Sequence, residues 1–294
     1  MKILDGKITA EQIKKEIKVE VSQYIDDGNR PPHLTTVLVG NNPASKTYVR
    51  NKEKNSKLVG FTSSTYNLPE DVSEKKLLDV INFLNNDKDV DGFIVQLPLP
   101  THIDEQKIIN SIDPDKDVDG FHPVNVGKMV LGLDTYLPAT PSGIIELLKR
   151  NNIETTGKHA VVIGRSNIVG TPLSILLSRK SKFGNCTVTI CHSYTPNIKD
   201  FAVQADILVA AIGKPAFVTA DMVKDGAIVI DVGINSIPDE TKKSGFRSVG
   251  DVDYDEVSKK ASWITPVPGG VGPMTIASLL MNTLKAYKKR FNLF

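Results

Sequence analysis

The sequence predicts an α/β protein of two domains, each built on a parallel sheet, and three observations carry that reading. Strand-like and helix-like patterns alternate from residue 8 to residue 97, the order expected of a parallel sheet covered by helices. Residues 92–97, GFIVQL, form an almost unbroken apolar run, as in a strand buried on both faces. Residues 159–163, HAVVI, pass straight into the glycine-punctuated GRSNIVGTP at 164–172, with proline where a first helical turn tolerates it. A chain of 294 residues exceeds one small core and suits two domains of ordinary size.

In the first domain, Ile13, Ile17, Val21 and Tyr24 recur among lysines and glutamates, the stripe of an outer helix over 8–24. Gly28 and Pro31-Pro32 end it, and a strand follows at 35–39. The GNNP turn at 40–43 stops that strand, and a helix is expected from Ser45, a residue type that caps free N–H groups, to about Val59. On this helix Tyr48 and Lys52 fall four apart and share a face directed at the strand end. Ligands of open α/β sheets sit beyond the carboxyl ends of the strands, so the pair offers a ring and an amine to a pocket. A packed ring beside a solvated ammonium is the plainer alternative. A strand at 62–67, a Ser73-capped helix through Leu84 and the strand at 92–97 complete the sheet. Gln96 is an amide stranded among apolar neighbours just before Leu97-Pro98-Leu99-Pro100. It requires a partner, and either backbone or a ligand would serve. A helix near 104–111 leads to the acidic loop DPDKDVDG at 113–120. A calcium loop wants glycine sixth and glutamate twelfth; neither is present, so no metal is expected. Asp119 is instead suited to accept hydrogen bonds from a ligand amide or amine.

The 36 basic and 34 acidic residues nearly balance, which excludes the broad positive field that nucleic acid or an anionic membrane surface would need. The N-terminal MKILDGKITAEQ turns charged before any apolar run of signal-peptide length. No stretch reaches the ~18 apolar residues of a membrane span, and a cytoplasmic protein is expected. Cys186 and Cys191 bracket one strand at an odd spacing and point to opposite faces, which leaves neither a disulfide nor a zinc site.

The chain next passes LPATPSG at 137–143, enters a helix ending near Arg150 and crosses between domains over a polar link to Lys158. The strand at 159–163, the loop Gly164, Arg165, Ser166 through Val169 and Gly170, and the helix start together suit a pyrophosphate, through free N–H groups and the positive end of a helix dipole. Ser166 stands where a second glycine would complete the usual spacing, so a plain strand-to-helix turn stays open on the motif alone. Strands at 187–191, 206–211 and 227–231 place the loop in a Rossmann-like sheet. An NAD-selective site commonly carries an acid at the end of the second strand; here His192, Ser193 and Tyr194 follow it. Arg165 and Ser193 can bind a 2′-phosphate through a charge-assisted bond and a hydroxyl, which points to NADP, with His192 a minor candidate. After a charged connector at 238–245 and a segment at 249–253, a strand at 263–265 precedes PVPGGVGPMT at 266–275. This rigid turn opens a helix from Thr275 to about Lys288, expected to pack back on the first domain. Its N–H groups are again offered to a ligand, unless the loop is only a tight connector.

Together these segments resemble the bifunctional methylenetetrahydrofolate dehydrogenase/methenyltetrahydrofolate cyclohydrolase family of folate one-carbon metabolism. The resemblance rests on Gly40, Pro43-Ala44-Ser45, Tyr48 and Lys52, on VQLPLP at 95–100, DVDGF at 117–121 and Pro138, Thr140-Pro141 and Gly143, on GRS at 164–166 with Val169-Gly170 and Pro172, and on DVGIN at 231–235 and PVPGGVGPMT at 266–275. It implies a folate-binding catalytic domain over 1–137, completed by a C-terminal helix at 273–294, and an NADP-binding domain over 138–272. It also implies a catalytic cleft between the domains and a homodimer formed through the cofactor domains. The implied chemistry is oxidation of 5,10-methylenetetrahydrofolate with NADP, then hydrolysis of the methenyl product to 10-formyltetrahydrofolate. By resemblance Lys52 is the acid/base of hydrolysis, Gln96 orients it, Tyr48 stacks on the folate rings and Asp119 anchors the pterin. Leu97, Pro98, Pro268, Gly269, Gly270 and Thr275 are further implied substrate contacts. Gly164, Arg165, Ser166, Val169, Gly170, Ser193 and Ile234 are the implied cofactor contacts. Two positions depart from the pattern: Ala139, where relatives often have cysteine, and Tyr194, where many have a basic residue. The second removes one possible 2′-phosphate contact. A dehydrogenase for a hydroxy acid or a shikimate-like substrate shares this layout, and so does a non-catalytic dinucleotide sensor. Neither needs the set Tyr48, Lys52, Gln96 and Asp119.

Overall fold

Two parallel sheets organise the chain in the computed structural model, which describes residues 1–242 and 245–293. Residues 243–244 of the expected connector and residue 294 of the expected completing helix lie outside the described residues. The chain divides into two units, one of Glu11–Ala139 with Ile276–Phe294 and one of Met1–Ala10 with Thr140–Thr275. It opens with β1 (Lys2–Ile3) and α1 (Gly6–Asp26); Ile13, Ile17 and Val21 form the buried stripe of that helix. The apolar run HLTTVLV becomes β2 (His33–Val39), the innermost strand of a three-stranded parallel sheet in the order β3-β2-β4, with β3 at Thr62–Leu68 and β4 at Gly92–Val95. β4 is buried throughout, whereas β3, rich in serine and threonine, is half-exposed at the sheet edge.

Between β2 and β3 runs α2 (Pro43–Leu58), and its start corrects the sequence reading. Asn42, not Ser45, caps the helix: its Oδ1 accepts from Ala44 N at 2.9 Å and Ser45 N at 3.1 Å. Pro43 fits the first helical position because it has no N–H to satisfy and its φ is preset, which moves the cap upstream and buries Ser45 inside the first turn. α3 (Glu74–Asn86) is capped by Ser73 as expected and packs Leu77, Ile81 and Leu84 against Val37, Phe93 and Val95. α4 (Glu105–Asn110) and α5 (Pro123–Val130) follow, the latter too short and too rich in β-branched residues to show a helical period.

In the other unit α6 (Ala139–Arg150) precedes β5 (His159–Ile163), α7 (Gly170–Ser178), β6 (Thr187–Cys191), α8 (Ile198–Ala202), β7 (Ile207–Ala210) and β8 (Ile228–Asp231). β9 (Asn235–Pro238) and β10 (Phe246–Val249) form an antiparallel hairpin across the expected connector, and α9 (Tyr254–Val257), β11 (Trp263–Ile264) and α10 (Val271–Phe291) complete the chain. The sheet has six parallel strands in the order β1-β11-β8-β7-β5-β6, two more than the sequence reading gathered into it. Its core joins Val161, Ile163, Leu208, Val229 and Ile264. The first ten residues pack with this unit: Lys2 N donates to Ser262 O at 2.7 Å and Leu4 N to Ile264 O at 2.8 Å. A two-residue strand has no periodicity to read. Among the described residues no helix is long and apolar enough to cross a membrane.

Candidate active site

In the unit holding the three-stranded sheet, α2 and the end of β4 bring together the residues singled out in the sequence. Lys52 Nζ donates to Gln96 Oε1 at 3.1 Å. Gln96 Nε2 in turn donates to Leu97 O at 2.7 Å, so the amide is held with its oxygen towards the amine. The stranded glutamine therefore finds the backbone partner the sequence allowed and, in addition, the lysine. Burial lowers the Lys52 pKa, and the Asp119 carboxylate opposes that fall. Burial likewise raises Asp119; Lys52 pulls it back and Asp117 pushes it further up. An amine that has lost part of its preference for the charged form, facing a carboxylate with the opposite bias, is an arrangement suited to moving protons. Tyr48, one helical turn before Lys52, is 39% exposed. Pro98 is exposed and Leu97 half-buried just beyond Gln96. Asp119 accepts no hydrogen bond from any other described side chain or backbone group, so its oxygens remain available to a ligand donor.

The loop that carries Asp119 is built by residues the sequence reading did not single out. Asp117 is buried and accepts from Gly120 N at 3.1 Å, His122 N at 2.8 Å and Asn125 Nδ2 at 2.9 Å. Thr135 Oγ1 donates to Asn125 Oδ1 at 2.7 Å. Asn282 of α10 donates to Val118 O at 2.8 Å and Leu137 O at 2.9 Å. Gly120 sits at φ +75°, and a Cβ there would come within 2.6 Å of Leu137 C, so the tight turn after Asp119 requires glycine. The available signal was the acid two positions before Asp119, which could have been read as the turn's internal acceptor.

In the other unit, the glycine loop between β5 and α7 is a close-packed cradle. Gly164 has φ +125°, and a Cβ on it would lie 2.2 Å from Ala211 O; one on Gly170 would lie 2.0 Å from Gly164 O. Ser166, in place of a second glycine, accepts from Val169 N at 3.1 Å and exposes its side of the loop. Val169 gives α7 no side-chain cap, yet the first turn is not left open as expected from the sequence: Gly170 N reaches Ser166 Oγ at 3.5 Å, Thr171 N donates to Ser166 O at 3.1 Å and Pro172 has no N–H. The groups offered to a ligand here are the side chains of Arg165 and Ser193, both exposed. These features fit a dinucleotide with a 2′-phosphate. Asp231, at the end of β8, accepts from Gly233 N, Asp251 N and Val252 N at 2.9–3.0 Å. Burial nevertheless raises it to about 6. Asp251 in turn holds Ile212 N at 2.7 Å, Gly213 N at 2.9 Å and Asn235 Nδ2 at 2.9 Å, fixing the loops that follow β7 and β8. Ile234, 52% exposed, lies on one of them.

The PVPGGVGPMT turn also lies in this unit. Gly269 O accepts from Lys7 N at 2.9 Å, and a Cβ on Gly270 would meet Pro266 O at 2.6 Å. Pro268 is exposed, and Thr275 Oγ1 lies 2.9 Å from Thr140 Oγ1. α10 starts at Val271, four residues before the expected Thr275, because a proline at 273 is tolerated within a first turn. A depression lined by Lys158, Lys224 and Trp263 opens at the amino ends of the strands. It contains none of the singled-out residues, and Lys224 is already paired with Asp206 at 2.6 Å.

The chain matches the tetrahydrofolate dehydrogenase/cyclohydrolase catalytic domain over residues 4–119 and the NAD(P)-binding domain of the same family over residues 138–291. It is 62% identical to the bifunctional protein FolD of Cytophaga hutchinsonii, over 97% of this chain and 99% of that protein. The solved bifunctional FolD, methylenetetrahydrofolate dehydrogenase/cyclohydrolase, of Campylobacter jejuni is 48% identical at a TM-score of 0.92, covering 99% of both chains. The Trypanosoma brucei N5,N10-methylenetetrahydrofolate dehydrogenase-cyclohydrolase, solved with NADP cofactor and an inhibitor, is 40% identical at a TM-score of 0.92, covering 97% of this chain and 96% of that one. With both domains matched in order and relatives this similar over nearly their whole length, the chain belongs to the tetrahydrofolate dehydrogenase/cyclohydrolase family.

Proposed function

We infer that the chain oxidises 5,10-methylenetetrahydrofolate to 5,10-methenyltetrahydrofolate with NADP and hydrolyses that product to 10-formyltetrahydrofolate. The observation that carries this reading is the Lys52 Nζ to Gln96 Oε1 bond of 3.1 Å at the end of β4, next to Asp119, in a chain of this family. Hydrolysis needs a base and then an acid. Water adds to the electrophilic methenyl carbon and must lose a proton; the carbon–nitrogen bond that opens must gain one at nitrogen. Lys52, with its pKa lowered, takes the first proton and returns it to nitrogen as the second, while the remaining hydroxyl proton of the adduct leaves to solvent as the formyl C=O forms, so one proton is released overall. Gln96 keeps the amine aimed without adding charge, Asp119 accepts from pterin N–H groups, and Tyr48 covers a ring face. Leu97 and Pro98 in the unit of Lys52, and Pro268, Gly269, Gly270 and Thr275 in the other, are further proposed substrate contacts.

Oxidation asks less of the side chains, because the folate nitrogen lone pair supports the developing cation; positioning is the contribution required. NADP supplies the hydride acceptor, and Gly164, Arg165, Ser166, Val169, Gly170, Ser193 and Ile234 are the residues that hold it. We assign residues 1–137 with 273–294 to the folate domain and 138–272 to the cofactor domain. The first ten residues, though packed with the cofactor unit, already include the first turn of α1, whose remainder belongs to the other unit. A homodimer through the cofactor domains belongs to the same proposal and is supported by exposed apolar residues there, Ile190 and Phe201. A cytoplasmic location is supported by two buried free cysteines. The test is to mix purified protein with 5,10-methylenetetrahydrofolate and either NADP or NAD. Reduced NADP and 10-formyltetrahydrofolate are expected; no reduction of either cofactor would contradict the reading.

A further inference from the structure

The turn after β6 carries an aromatic residue that the reading above leaves without a role. Tyr194 is 81% exposed, an unusual position for so large a ring. The turn beneath it is tightly bonded: Tyr194 N donates to His192 Nδ1 at 3.2 Å, His192 N to Thr195 Oγ1 at 2.9 Å and Thr195 N to His192 O at 2.8 Å. The His192 ring packs edge-on against the tyrosine, with centroids 6.3 Å apart. On the glycine loop, Arg165 Cζ lies 5.8 Å from the centre of the Tyr194 ring. Among the described residues Arg165 makes no ion pair, so the ring is the group that holds its guanidinium.

We propose that Tyr194 is the positioning residue that selects NADP over NAD, by holding Arg165 at the 2′-phosphate position of the ribose. The inference rests on the assignment of Arg165 and Ser193 to that phosphate. An unpaired arginine on an exposed loop samples many rotamers and loses that freedom on binding. A ring face within cation–π distance restricts the guanidinium beforehand and leaves its N–H donors free for phosphate. A carboxylate would hold the arginine equally well but would cancel the charge the phosphate needs, and a second cation would repel it. The bonded turn and the His192 ring keep the tyrosine in place. The effect is confined to ligands that carry a 2′-phosphate.

The test measures binding of 2′,5′-ADP and of 5′-ADP to the full chain by calorimetry, without folate. Tyr194→Ala is expected to weaken 2′,5′-ADP about three- to fivefold while 5′-ADP stays within about twofold. Tyr194→Phe, which keeps the ring and removes the hydroxyl, is expected to bind both as the native chain does. An unchanged 2′,5′-ADP affinity in Tyr194→Ala, or an equal loss for both nucleotides, overturns the proposal. Arg165→Ala separates the two levels. If it collapses the preference for 2′,5′-ADP while Tyr194→Ala leaves it intact, only the role of Tyr194 falls. If Arg165→Ala also leaves the preference unchanged, the phosphate assignment falls with it.

Discussion

Replacing Gln96 by glutamate puts a carboxylate where the amide oxygen now lies, 3.1 Å from Lys52 Nζ. At that separation and an effective dielectric of about 20, opposite unit charges attract by about 5 kcal/mol. Both side chains keep some access to solvent, which makes that figure a ceiling. Because about 1.4 kcal/mol is tenfold in proton affinity, the new carboxylate works against the lowering by burial and favours the protonated amine. A lysine held in its charged form is a poorer base. Hydrolysis of methenyltetrahydrofolate, followed by the decay of its absorbance, is expected to fall about 10²- to 10⁴-fold in Gln96→Glu. The acidic limb of its pH profile moves upward, and reduction of NADP persists. Gln96→Met, which removes the acceptor without adding charge, should cost about ten- to a hundredfold, the value of a hydrogen bond to a charged group. A glutamate variant that hydrolyses at the native rate, with an unmoved pH profile, would refute the reasoning.

Three further perturbations probe the scaffold. Asp231 is raised to about 6 by burial, above its ordinary 3.8, so the folded state binds this proton more tightly than the unfolded chain. Its contribution to stability is present below about pH 4 and is lost as pH rises to about 6, by on the order of 3 kcal/mol. Denaturant unfolding of native protein and Asp231→Asn should show their difference shrinking over that window, and parallel pH curves would count against it. Gly170→Ala places a Cβ 2.0 Å from Gly164 O; a loss of about 1–3 kcal/mol with weaker NADP binding is expected, and native values of both would exclude the close-packed loop. Asp117→Ala leaves the donors of Gly120, His122 and Asn125 unpaired. It should cost at least about 2 kcal/mol in denaturant unfolding, a result that a native midpoint would contradict.

The parallel sheets were legible because strands such as HLTTVLV and GFIVQL are apolar throughout and the helices between them have clear stripes and caps. Tyr48, Lys52 and Gln96 could be found because each broke a local pattern, a ring and an amine on one helical face and an amide at the end of an apolar strand. The strand at 263–265 was legible and became β11, whereas β1 was not, since two residues have no period; the place of both in the sheet is fixed by pairing distant in sequence. Ser45 was misread as a cap because serine and asparagine both serve, and only the position of Pro43 decides between them. Asp117 was passed over because a buried acceptor for three donors looks, in sequence, like one more acid in a charged loop. The contact between Arg165 and Tyr194 depends on two loops meeting after different strands, which spacing along the chain does not encode.

The division of labour at Lys52 is tested most directly by rapid mixing of Lys52→Met with 5,10-methylenetetrahydrofolate and NADP, following methenyl absorbance and cofactor reduction together. The account predicts that NADP is reduced and methenyltetrahydrofolate accumulates without passing on to the 10-formyl product. Release of 10-formyltetrahydrofolate at the native rate, or equal loss of both steps in a folded variant, would contradict it.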